Sequence, residues 1–205
     1  MIYESRFWKE DLLKQAKSLL KKSTQRKWTE NTYFSLEQTV MLGFYSVRKL
    51  VEAKKISDVV VEQRVSLSMY KHKDEWDPTT LRNRRKIDRL YNLDEEEIVS
   101  RNLRFLCNKM VHSYVFEECF DDESGLLTGI FFNSDKDRNK ALYYIEIQKI
   151  IDIFEEVGSD YPTEIRYTAN FETLDYDVTV KTDKDFLAKI KQDPDNDSHS
   201  KGKSE

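Results

Sequence analysis

Residues 32–54, TYFSLEQTVMLGFYSVRKLVEAK, constrain the fold more than any other stretch. Phe34, Leu36, Val40, Met41, Phe44, Tyr45, Val47 and Val51 recur at helical spacing and cover more than one stripe of the helix surface. That pattern predicts a central helix buried by neighbours on several sides. A first amphipathic helix is expected over about 5–22, where Phe7, Trp8, Leu12, Leu13, Ala16, Leu19 and Leu20 alternate with lysines. A third helix is expected from Asp94, whose three following glutamates complement the helix dipole, to about Cys119. The stretch RNKALYYIEIQKIIDIFEEVG predicts a fourth, ended by Gly158.

Between these helices the period changes. Val65, Leu67 and Met69 alternate with Ser66, Ser68 and Tyr70, the period-two mark of a half-buried strand. LLTGIFFNSD reads as another strand, and TEIRYTANFETLDYDVTVKTD as a hairpin. HKDEWDPTTLRNRRKIDRLYN has no period and contains Pro78, so a long excursion is expected there, partly helical after Thr80. The expected fold is α+β and mainly helical: a four-helix bundle carrying a small antiparallel sheet. One globular domain is expected over 1–191, with its helical core at about 5–158 and its hairpin at about 163–182. The polar, aromatic-free residues 192–205 read as a disordered tail.

Hydrophobic residues make up 39% and charged residues 35%, enough for a core beneath a very polar surface. No window approaches the roughly 20 apolar residues of a membrane span, and MIYESRFWKE lacks the layout of a secretory signal. The expected location is the cytoplasm, with no membrane partner. Cys107 and Cys119 read as free thiols, since neither a CxxC spacing nor a zinc-holding Cys/His set occurs. None of the five glycines stands in a phosphate-cradling loop, so no nucleotide cofactor is expected. Charge is uneven: residues 1–110 carry 23 Lys and Arg against 16 Asp and Glu, or +7, and residues 111–205 carry 11 against 22, or −11. A basic half can attract a polyanion even when the net charge is −4.

Arg101, Arg104, Asn108 and His112 advance by three, four and four, which on a continuous helix places them along one face. With Leu103, Leu106, Met110, Val111, Val115 and Phe116 on the greasy side, the third helix shows a separate polar stripe. This helix resembles the signature helix of the HEPN superfamily (higher eukaryotes and prokaryotes nucleotide-binding). Asn108 and His112 stand where that family carries a polar residue and a histidine, and Cys107 stands where it carries an arginine. The resemblance implies a helical bundle that dimerises, here through the third helix. It also implies metal-independent RNA cleavage of the toxin or antiviral-defence type. His112 would serve as acid and base, Asn108 as orienting group, and Arg104 or Arg101 as phosphate clamp. The alternative is a non-catalytic module that dimerises and binds a protein or nucleic-acid partner through the same stripe.

Arg82, Arg84, Arg85, Lys86 and Arg89 form the densest basic patch and are the expected nucleic-acid contacts, with Lys71, Lys73 and Trp76 upstream. Lys21, Lys22, Arg26, Lys27 and Trp28 make a weaker one. The acidic runs Glu117, Glu118, Asp121, Asp122, Glu123 and Asp175, Asp177 read as solvated termini, and no metal site is expected. Arg48, within the apolar central helix, is expected either to pair with a carboxylate on the opposite helix or to reach the polar stripe.

Overall fold

The structure is a computed structural model and describes residues 2–73 and 77–182; the expected tail at 192–205 and Trp76 fall outside those residues. Helix α1 spans Ser5–Ser23 and α2 spans Glu30–Glu52, entered through a capping box between Thr29 and Thr32. A short α3, Asp58–Glu62, leads into strand β1, Arg64–Lys71. The excursion follows, with its one-turn α4 at Ile87–Leu90. Then come β2 (Glu97–Asn102), α5 (Leu103–Val111), β3 (Ser113–Phe120), β4 (Leu127–Ser134) and β5 (Ala141–Glu146). Helix α6 (Ile147–Ser159) and the hairpin β6 (Glu164–Asn170) and β7 (Asp175–Lys181) complete the described chain.

This is a sheet-rich α+β fold, and the expected four-helix bundle is wrong. A five-stranded antiparallel sheet in the order β2-β1-β5-β4-β3 organises the molecule. Two expected helices are the reason. Of the helix expected over 94–119, only Leu103–Val111 is helical; its flanks are β2 and β3. Ile98 and Val99 before it, and Tyr114, Val115 and Phe116 after it, are β-branched or aromatic residues that fit a pleated surface. Pairing of β2 with β1 and of β3 with β4 outweighs local helical spacing. The fourth helix begins at Ile147, because ALYYIE lies between β1 and β4 with both faces covered and shows no alternation of apolar and polar residues.

The main core lies between one face of the sheet and the helices α1, α2, α5 and α6. Val65, Leu67, Ile130, Phe132, Tyr143 and Ile145 point into it. Gly43 lets α2 close on α6: a Cβ there would stand 2.1 Å from the Phe154 ring. The excursion covers the opposite face, where Leu90 and Tyr91 pack with Val115 and Leu142. Tyr91 is fastened by Asn133 (2.8 Å) and Thr79 (3.1 Å), and its hydroxyl donates to the Arg138 carbonyl at 2.6 Å.

A second buried polar cluster ties the helices together. Lys9 is 1% exposed; its ammonium donates to the Lys55 carbonyl at 2.8 Å and to the Asp160 carbonyl, and sits 4.4 Å from the Tyr161 ring centre. The Asp160 carboxylate accepts from the Ser57 amide (2.6 Å) and hydroxyl (3.0 Å). Burial holds the Lys9 ammonium below the usual lysine range, opposed chiefly by the Asp160 charge. No described helix is long and apolar enough to cross a membrane.

Candidate functional site

Helix α5 begins at Asn102, whose side chain accepts from the Phe105 amide at 3.0 Å, and ends at His112. Leu103, Leu106, Cys107 and Met110 are buried by α2 and the sheet. Arg104, Asn108 and His112, spaced by four, share the exposed face. Arg101 does not join them. It belongs to β2 opposite Val65, and its guanidinium lies 5.3 Å from the Phe105 ring centre.

Arg48 comes to the stripe from α2. Its Nη1 lies 3.4 Å from Nε2 of His112, while its Nε donates to Glu52 Oε1 at 2.8 Å. A guanidinium can only donate, so the contact with His112 uses the Nε2 lone pair and places the ring proton on Nδ1. Lys49 reaches the other Glu52 oxygen at 2.8 Å. Together Lys49 and then Arg48 hold the Glu52 carboxyl at about 2, below its ordinary 4.5. A depressed carboxyl adds stability that is complete above about 4.5 and is lost as pH falls toward about 2. Glu52 is 42% exposed, so solvent screens the pair. Glu52→Gln should therefore lower the melting temperature by no more than about 1–2 °C above pH 5. The difference should shrink as pH falls below about 4.5 and vanish only near pH 2, as acid titration of thermal unfolding would read.

Two open clefts meet at Asn108. One, about 210 Å³, is lined by Arg48, Glu52, Arg104 and Asn108, with Cys107 and Val51 at its base. The other, about 590 Å³, is lined by Asn108, Lys109, His112, Ser134, Asp135 and Lys136. Burial pushes the Cys107 thiol up to about 12, so the residue at the arginine position of the resemblance supplies neither charge nor a nucleophile. Lys109 is neutralised by Asp137, which also accepts from Ser134 Oγ at 3.1 Å. Arg104 and Lys136 have no hydrogen-bond or ion-pair partner among the described residues. The groove therefore pairs a ring nitrogen with an anchored guanidinium and offers two further cations to an anion.

Compared with protein-family models, curated proteins and solved structures, the chain finds no match.

The basic patch is split by the fold. Arg84 donates to the Tyr114 carbonyl at 3.3 Å, Arg85 faces Glu117 at 3.5 Å, and Arg89 is held by Asp77 at 2.8 Å. Arg82 and Lys86 are exposed. Among the described residues no group of three or more His, Cys, Asp or Glu is arranged to hold a metal ion. Sequence reasoning missed Glu52, Lys109 and Lys136. Glu52 had a readable signal, since it stands four residues after Arg48 on one helix; Lys136 lies on a loop and had none.

Proposed function

We propose that the protein binds RNA along the exposed face of α5 and cleaves it without a metal. The observation that carries this reading is the contact of His112 Nε2 with Arg48 in a solvent-open groove. In the reaction the 2′-oxygen attacks phosphorus and the bond from phosphorus to the 5′-oxygen breaks. Once Arg48 turns from the ring to the phosphate, His112 Nε2 takes the 2′-hydroxyl proton on the lone pair so freed, and the 5′-oxygen takes one from solvent, leaving a 2′,3′-cyclic phosphate and a 5′-hydroxyl. Arg48 and Arg104 stabilise charge on the non-bridging oxygens, and Asn108 hydrogen-bonds the phosphate between them. Lys136, Arg82 and Lys86 add phosphate contacts for a longer strand.

A homodimer through this helix would use the same exposed face and so add a second copy of the groove to the first. The rival, non-catalytic reading is favoured by the hairpin β6–β7. Tyr167, Phe171, Leu174 and Tyr176 on it are 63%, 87%, 89% and 61% exposed, an apolar surface suited to a protein partner. Incubation of the purified protein with total RNA in EDTA tests the choice. Cleavage that leaves cyclic phosphate ends and is lost in His112→Ala is expected. Intact RNA that is nonetheless retained in a filter-binding assay would leave a binding module, and neither cleavage nor retention would end the RNA reading.

A further inference from the structure

The outer edge of the main sheet is unfinished at β3. Among the described residues this strand pairs only with β4, and every second residue of an edge strand turns its N–H and C=O away from the sheet. A cleft of about 540 Å³ adjoins that edge, bounded by β3, by the N-terminal part of α2 and by Arg84 and Arg85. Its charge is the reverse of the α5 groove. Glu30, Glu37, Glu117 and Glu118 face two arginines, of which Arg84 is already held by the Tyr114 carbonyl. Arg85, the nearest counter-charge of Glu117, is 83% exposed. Burial raises the carboxyls of Glu117 and Glu118 above the usual glutamate range, and Glu37 adds to the effect at Glu118. Tyr33 and Phe34 supply apolar wall beside these carboxylates.

We propose that this cleft takes an extended peptide segment bearing lysine or arginine, added to β3 as a further strand. The outward backbone groups of β3 beyond Tyr114, whose carbonyl Arg84 already occupies, give the ladder, and side chains that alternate along the added strand fall in turn on the carboxylates and on the aromatic wall. The excess of negative charge excludes a nucleic-acid backbone from the cleft and selects a cationic occupant. The site is separate from His112 and does not depend on RNA cleavage.

The test titrates the full chain with a fluorescein-labelled peptide, Lys-Val-Lys-Val-Lys-Val-Lys, and follows anisotropy. Saturable binding is expected, weakened at least about tenfold when glutamate replaces lysine or proline replaces the central valine. Glu117→Gln with Glu118→Gln should weaken it about five- to tenfold, while thermal unfolding is unchanged or raised because two part-buried charges are gone. Slowed hydrogen exchange at residues 113–118 on binding would locate the added strand. Equal binding of the proline peptide would reduce the effect to charge attraction and overturn the proposal, as would full affinity in the double variant. A dimer in sedimentation that excludes the peptide would assign the edge to a second copy and also overturn it.

Discussion

Asp160→Ala should cost about 3–5 kcal/mol of stability: two buried Ser57 donors lose their acceptor, at about 1–3 kcal/mol each, and Lys9 loses the nearest opposing charge. Lys9, 1% exposed, keeps its ammonium among the Lys55 and Asp160 carbonyls because the Asp160 carboxylate supplies the opposing charge. The same carboxylate satisfies the amide and hydroxyl of Ser57, which begins α3. At about 2–4 °C per kcal/mol for a chain of this size, the melting temperature should fall by roughly 10 °C. Raising the pH toward 10.5 should recover part of the loss, because a lysine whose folded value is depressed destabilises the fold only while the unfolded chain holds its proton more tightly. Lys9→Met in the Asp160→Ala background should restore stability at neutral pH. A melting temperature within 2 °C of wild type for Asp160→Ala would mean that water reaches Lys9.

If the protein cleaves RNA as proposed, Arg48→Ala should lower kcat/KM by about 10²–10³-fold, comparable to removing one donor from a transition-state anion site. Arg48→Lys should recover only part of this, since an ammonium keeps the charge and loses the fork that contacts Glu52 and His112 together. Arg104→Ala should act mainly on KM, because no protein group holds that side chain in place before the phosphate arrives. The folded state serves as the internal control: Arg48 is 33% exposed and its pair with Glu52 is an i,i+4 surface bridge, so unfolding temperatures should barely change. Cleavage at the wild-type rate by Arg48→Ala would remove the guanidinium from the mechanism.

The legible parts of the fold are those in which one face is apolar and the other polar. Helix α1 and strand β1 have that asymmetry, and their periods can be counted along the chain; α2, expected to be buried on several sides, buries one stripe and leaves Phe34 62% and Tyr45 43% exposed. Strand β5 has lost it, because helices cover one of its faces and the excursion the other; Leu142 and Tyr143 are both buried and point in opposite directions. Around α5 the helical spacing is real for nine residues, which is why Arg104, Asn108 and His112 can be grouped from sequence. Extending that spacing back to Arg101 fails at Asn102, where the chain leaves a strand and caps the helix. The contact between Arg48 and His112 spans 64 positions and depends on how α2 crosses α5, which no local pattern encodes.

The order β2-β1-β5-β4-β3 also fixes when the sheet can close. The middle strand is the last of the five to be synthesised, so β1–β2 and β3–β4 emerge as two ribbons with no strand between them. Helix α5, which joins β2 to β3, tethers those ribbons at opposite margins of a gap one strand wide. Until residues 141–146 leave the ribosome, each ribbon exposes an unpaired border, and the arrival of β5 zips both at once. A nascent chain paused before Ala141 is therefore the form of this protein most open to pairing with the wrong strand.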